Sequence, residues 1–137
     1  MALMENAEAD QAARKHVFVL NGAPEFLNLM RQLFQDEHYN VTTTNFVPNS
    51  FDQIDALQPD VLVIDLVYGK QAGWVLLERL HREASTAGIP VLVVSTEEDL
   101  IARARQQVER YGGNAYLEKP FSLEHMLGAI DALIGQA

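Results

Sequence analysis

Val61-Leu62-Val63-Ile64, closed by Asp65, is the stretch that decides the fold. Four consecutive aliphatic residues are too few for a helix and too uniformly apolar for a strand with one wet face. Such a run suits a strand buried on both faces, the mark of a parallel sheet covered by helices. Similar runs are Val17-Phe18-Val19-Leu20 before Asn21, Val91-Leu92-Val93-Val94 before Ser95, and Ala115-Tyr116-Leu117 before Glu118-Lys119. Each ends in a polar residue. In an open α/β sheet the ligand crevice lies outside the carboxyl ends of the strands. A carboxylate, a hydroxyl and an ammonium are therefore expected at one edge, with Asn21-Gly22 beside them. That set suits phosphate chemistry.

The segments between these runs carry helical periodicity. Pro24 stands where a first helical turn tolerates proline, and Phe26, Leu27, Met30, Leu33 and Phe34 recur at helical spacing to about His38. Tyr39 to Thr44 reads as a more polar strand, suited to a sheet edge. Asn49 or Ser50 can cap a short helix burying Phe51, Ile54 and Leu57, which Pro59 stops. A loop over residues 66–72 leads to a helix with Trp74, Leu76, Leu77 and Leu80, expected to end near Gly88. Thr96-Glu97-Glu98-Asp99 places acids at the start of a helix carrying Leu100, Ile101, Ala104 and Val108, expected to run to Gly112-Gly113. Ser122, with Glu124 or His125 nearby, opens a last helix carrying Leu123, Met126, Leu127, Ile130 and Leu133. Five alternations of strand and helix predict a doubly wound, flavodoxin-like parallel sheet of order 2-1-3-4-5, with right-handed crossovers and helices on both faces.

The chain has 137 residues, 48% of them hydrophobic, enough for one domain with a continuous core. Residues 1–15 are acidic, alanine-rich and weakly patterned, and read as a mobile leader before a domain at 16–137. A net charge of −9 argues against a nucleic-acid surface, which needs a basic patch. Cysteine is absent, which removes thiol catalysis and disulfides. No apolar run reaches the length of a membrane span, roughly 18 residues, and no signal core opens the chain. A cytoplasmic protein without membrane contact is the expectation. His16, His38, His81 and His125 fall on different elements, so no histidine metal cluster is expected.

The ordered set Pro59-Asp60-Val61-Leu62-Val63-Ile64-Asp65-Leu66, Gly73, Ile89-Pro90-Val91 through Ser95-Thr96, and Ala115-Tyr116-Leu117-Glu118-Lys119-Pro120-Phe121 resembles the receiver domain of two-component response regulators, over about residues 16 to 134. The resemblance implies Asp65 as phosphoacceptor, Ser95 as the hydroxyl contacting the phosphoryl group, Lys119 as its ion-pair partner, and Ser95 and Tyr116 as switch residues. It also implies a cis peptide at Lys119-Pro120. The partners it implies are a histidine kinase or phosphotransfer protein, or a downstream protein docking on the fourth helix, fifth strand and fifth helix. The chemistry is consistent. Phosphoryl transfer to a carboxylate depends on positioning and charge, a lysine supplies a point charge and a hydroxyl a donor.

The resemblance breaks at the metal. Magnesium is normally held by carboxylates, phosphate and waters, and receivers supply two adjacent acids after the first strand. Here those positions are Asn21 and Gly22. Asn21 can bond a metal-bound water, whereas Gly22 offers no side chain. Asp65 is left as metal ligand, with a possible carbonyl from Val67. A unit charge pair at ~4 Å is worth roughly 4 kcal/mol at an effective dielectric near 20, so magnesium is expected to bind weakly or not at all. Glu25 and Glu118 are not evident replacements. Lys119 is then expected to pair directly with Asp65 in place of the cation. Val67 also offers no polar group to orient a hydrolytic water, and Gly69 stands where receivers often carry proline. The interval from Ser95 to Lys119 is slightly long, and the extra length is expected in the fourth helix.

Two functions follow. One is a pseudo-receiver that keeps the fold, has impaired magnesium-dependent phosphorylation, and docks partners through a surface including Arg103, Tyr116 and Glu124. The other is a stand-alone receiver that passes a phosphoryl group through Asp65. An enzyme fits less well. Leu20-Asn21-Gly22-Ala23-Pro24 lacks the hydroxyl-rich phosphate loop of a flavodoxin, and Val67 stands where dehalogenase-type hydrolases place a second acid.

Overall fold

The computed structural model describes residues 14–45, 49–66, 71–111 and 113–134. The leader up to residue 13, Val67 and Gly69 lie outside them. Strands β1 (His16–Leu20), β2 (Asn40–Thr44), β3 (Val61–Asp65), β4 (Val91–Ser95) and β5 (Ala115–Glu118) form one sheet of order β2-β1-β3-β4-β5. All four pairings are parallel. This is the predicted doubly wound topology. The apolar run that decided it occupies the centre, and Val61 through Ile64 are fully buried. Strand β2, the polar one, takes an edge.

Helices α1 (Pro24–Asp36), α2 (Ser50–Leu57), α3 (Ala72–Arg82), α4 (Glu98–Gln106), α5 (Val108–Tyr111) and α6 (Leu123–Ile134) complete the described elements. Successive strand residues point to opposite faces, and two cores result. Phe18, Leu20, Leu62, Ile64 and Val93 pack with Phe51, Ile54, Trp74, Leu77, Leu80, Leu100 and Ala104 on one face. Val17, Val19, Val61, Val63, Leu92 and Val94 pack with Met30, Phe34, Met126 and Ile130 on the other. The first face is thus covered by α2, α3 and α4, the second by α1 and α6.

Several boundaries differ from the periodicity. Helix α3 stops at Arg82 rather than near Gly88, because the buried Thr86 hydroxyl donates to the Leu80 carbonyl at 2.7 Å and folds the following residues into turns. The expected single fourth helix is broken at Gln107 into α4 and the short α5, and Val108 is 43% exposed rather than core. Just after this break, Arg110 of α5 reaches Glu78 of α3 at 3.9 Å. Helix α2 begins after Asn49 without a side-chain cap, and Gln58 ends it in the left-handed region at φ 46°. Ser122 does cap α6, accepting from the His125 N–H at 3.0 Å.

Candidate functional site

The two-face alternation decides which polar residues meet. Asp65 continues the β3 series Val61 and Val63, Asn21 continues the β1 series Val17 and Val19, and Lys119 continues the β5 series Ala115 and Leu117. All three therefore leave the sheet's carboxyl edge toward the face covered by α1 and α6. Ser95 and Tyr116 have the opposite parity, shared with Val93 and the α4 face.

Asp65 is 7% exposed, and its Oδ1 lies 2.9 Å from the Lys119 Nζ. The ammonium and the carboxylate thus pair directly. Burial pushes the Asp65 carboxyl above its ordinary value, against the opposing hydrogen bond and charge of Lys119. The peptide bond from Lys119 to Pro120 is cis, and the Lys119 N–H donates to the Ser95 carbonyl at 2.7 Å. The ammonium also sits 4.5 Å from the ring centroid of Phe26, which meets Phe121 edge to face. Phe26 was legible only as one of several apolar residues at helical spacing. Its place in the first turn of α1, directly after the Asn21-Gly22 loop, was the available signal.

Ser95 is fully buried, and its hydroxyl is already occupied. It donates to the Leu66 carbonyl at 2.7 Å and accepts from the Glu97 N–H at 3.0 Å. The hydroxyl thus grips the residue after Asp65 rather than the carboxylate. Tyr116 is half-buried on the same face, with its hydroxyl donating to Gly113 O at 3.3 Å. Arg105 lies over its ring at 5.2 Å, while Arg103 instead covers Trp74 at 4.9 Å. Gly113, read in the sequence only as a helix stop, and Arg105, read as part of a solvated helix face, stand beside Tyr116, a contact the sequence did not show. Gly113 has φ +104°, and a Cβ there would stand 3.1 Å from the Tyr116 hydroxyl. Arg103 and Glu124 are both exposed, the first on α4 and the second on α6.

On the β1 side, Asn21 is 2% exposed, and its Oδ1 accepts from the Ala23 N–H at 2.8 Å, closing a turn into α1. Its Nδ2 is buried without a hydrogen-bond partner. A buried donor left unpaired costs about 1–3 kcal/mol. At Gly22 an added Cβ would meet nothing within 4 Å. Among the described residues no three His, Cys, Asp or Glu side chains cluster as metal ligands. Among the described residues the donors for a divalent cation reduce to one carboxylate, already held by an ammonium, and one amide. That donor set fits magnesium poorly, because its one carboxylate is already paired with an ammonium and no second acid stands beside it.

The sequence profile of the response regulator receiver domain matches residues 17–131. The chain belongs to that family. It is a receiver domain of two-component signalling. It is 29% identical over 118 residues to the nisin biosynthesis regulatory protein NisR of Lactococcus lactis, covering 86% of this chain and 49% of the relative. It is also 35% identical over 80 residues to the DNA-binding dual master transcriptional regulator RpaA of Synechocystis, covering 57% of this chain and 32% of the relative. The receiver thus spans half or less of these relatives' length. Among solved structures, the chemotaxis protein CheY4 of Vibrio cholerae superposes with a TM-score of 0.77 at 19% identity, over 88% of this chain and 99% of that one. The receiver domain of the Pseudomonas aeruginosa sensor histidine kinase PA1611, described with a magnesium ion coordinated in its active site cleft, gives 0.74 at 15% identity, over 90% and 100%. No helix among the described residues is long and apolar enough to cross a membrane.

Proposed function

We propose that this receiver has impaired magnesium-dependent phosphorylation at Asp65 and works through protein–protein contact. The observation that carries the reading is the Lys119–Asp65 pair at 2.9 Å, beside a corner where Asn21 and Gly22 replace two acids. A resident ammonium already neutralises the acceptor carboxylate. A divalent cation entering there would face that ammonium with no second carboxylate to hold it. The Ser95 hydroxyl would have to surrender both the Leu66 carbonyl and the Glu97 N–H to follow a phosphoryl group. The population shift that phosphorylation normally drives is therefore small, and the resting conformation itself binds the partner.

The partner surface is the face of α4, β5 and α6, with Arg103, Tyr116 and Glu124 on it and Arg105 added by its stacking on Tyr116. A kinase or phosphotransfer protein of two-component signalling, or a downstream protein, is the class of partner. The second reading, a receiver passing a phosphoryl group through Asp65, is favoured by the register of Asp65, Ser95 and Lys119 at one edge.

Intact mass after incubation with acetyl phosphate, across a magnesium titration, separates the two. No phosphoryl adduct is expected at millimolar magnesium, and Trp74 fluorescence stays unchanged. Asn21→Asp with Gly22→Asp creates magnesium binding, because the position of a Cβ at Gly22 is open. Saturable submillimolar magnesium binding, with stoichiometric phosphorylation of the unaltered chain, would return the argument to ordinary phosphotransfer. Asp65→Ala leaves partner capture intact, and charge reversal at Arg103 or Arg105 weakens it.

A further inference from the structure

We propose that a pocket at the amino edge of the sheet binds a small single-ring phenol. It lies between α3 and α5, where β4 and β5 begin, and has a volume of about 120 Å³. Val91 and Ser95 stand at opposite ends of β4, roughly 13 Å apart, and none of the lining residues belongs to the Asp65 edge. The floor is apolar and buried, formed by Leu77, Leu80 and Val91. The rim is exposed, formed by His81, Ala87, Val108 and Asn114. The proposal stands whether or not Asp65 takes a phosphoryl group.

Each wall of the pocket is held by a specific interaction. Glu78 of α3 pairs with Arg110 at 3.9 Å and so ties α5 to α3. The Asn114 N–H donates to the Val91 carbonyl at 2.8 Å, and the Val91 N–H donates back to the Asn114 Oδ1 at 2.8 Å. On the third side the Thr86 hydroxyl donates to the Leu80 carbonyl at 2.7 Å and turns the chain after α3. Ligand sites are usually preformed in this way. The break at Gln107 completes the rim, because it leaves Val108 43% exposed over the pocket instead of in the core.

Size and polarity choose the ligand. A water takes roughly 30 Å³, and an apolar cavity of about 150 Å³ holds benzene. Drug-sized molecules need roughly 300 Å³ or more. The pocket therefore suits one aromatic ring. The ring's substituent follows from the rim. Asn114 spends its Oδ1 on Val91, so Nδ2 is the donor end of that amide. A neutral imidazole such as that of His81 carries one acceptor nitrogen. A phenolic hydroxyl accepts from the amide and donates to the imidazole. A carboxylate could only accept, and it would meet the field of a chain with net charge −9.

The test is titration of the full chain with phenol in mildly alkaline buffer, read by nitrogen-15 NMR. The signals followed are the backbone amides of Val91 and Gly113 and the side-chain amide of Asn114, all in the pocket wall. Saturable shifts confined to these and neighbouring residues are expected at millimolar phenol. Ala87→Phe fills the pocket from its exposed rim and removes saturable binding. His81→Ala removes the acceptor for the hydroxyl and weakens phenol binding about fivefold, the effect of one hydrogen bond. Shifts that rise linearly, or that scatter over the whole surface, overturn the proposal and leave the pocket to a partner's apolar side chain. Phenol binding unchanged from the parent in either folded variant overturns it as well, so each variant decides if the other fails to fold.

Discussion

The two sides of Asp65 are built by different rules. On the β4–β5 side Lys119 and Ser95 are both committed. Lys119 holds the Asp65 carboxylate and bonds the Ser95 carbonyl, and the Ser95 hydroxyl both donates and accepts. On the β1 side the acids are gone, Gly22 contributes only backbone, and the Asn21 Nδ2 has no acceptor. One side is a closed network and the other an opening. A receiver that kept both sides could use a metal to pull on the network. On the proposed reading, this one keeps the network and lacks the acids that would hold the metal.

The largest expected effect comes from breaking the closed side. Lys119→Ala leaves the buried Asp65 carboxylate without its partner. Removing one member of a buried pair typically costs 3–5 kcal/mol. The lysine is 20% exposed and water can partly replace it, so about 1–3 kcal/mol is expected here. Urea denaturation at neutral pH measures it. A midpoint unchanged from the parent would mean that the 2.9 Å pair contributes nothing, and the contrast between the two sides would collapse.

The strands and the missing acids were legible in the sequence for one physical reason. A strand buried on both faces must be apolar throughout, so Val61 to Ile64 and Val91 to Val94 announce themselves, and their ends fix where Asp65 and Ser95 fall. Asn21 and Gly22 are then read off as the end of the neighbouring run. What stayed hidden depends on side-chain direction. Ser95 and Asp65 both end strands, but they leave opposite faces, so the Ser95 hydroxyl finds the Leu66 carbonyl rather than the carboxylate. The breaks at Arg82 and Gln107 were also invisible. Thr86 captures the Leu80 carbonyl through a side chain that carries no helical periodicity, and Val108 falls in register with Ala104 although the helix has already ended.

A second, smaller effect sharpens the comparison through pH. The Asp65 carboxyl is raised above 3.8 because burial outweighs the pull of Lys119. A raised folded-state value means that the folded chain binds the proton more readily than the unfolded chain. The resulting stabilisation is fully present below the ordinary value and is lost as pH rises through the raised one. Melting curves of the parent against Asp65→Asn should therefore converge at low pH, with the parent losing ground as pH rises through that window. Above it the difference is constant. In a Lys119→Ala background the window moves further upward, since the opposing charge is gone. A parent that instead gained on Asp65→Asn with rising pH would show that the pair dominates burial.

Between these effects and the last lies Gly113→Ala. A side chain at φ +104° is strained, and its Cβ would sit 3.1 Å from the Tyr116 hydroxyl and 3.2 Å from the Val93 Cγ2. About 1–2 kcal/mol is expected. Near-ultraviolet circular dichroism should show the Tyr116 environment changing while a magnesium titration stays as in the parent. Altered ion binding in this variant would mean that the Tyr116 face and the Asp65 edge are coupled, contrary to the separation by strand parity.

The smallest effect tests the single contact that joins the two sides. Phe26 belongs to α1, on the open side, yet its ring faces the Lys119 ammonium of the closed side at 4.5 Å. A cation over an aromatic face contributes about 0.5–1 kcal/mol at a partly exposed site. Phe26→Leu keeps an apolar side chain against Phe121 while removing the ring's negative face, so stability should fall by no more than that amount. The informative readout is elsewhere. Without the ring, Lys119 is held by Asp65 alone and is less firmly placed beside the first turn of α1. The Lys119 ammonium signal in nitrogen-15 NMR should shift, with magnesium binding unmoved. A Phe26→Leu variant whose Lys119 ammonium signal matched the parent's would show that Lys119 is positioned entirely from the β4–β5 side, and the two halves of the edge would be independent.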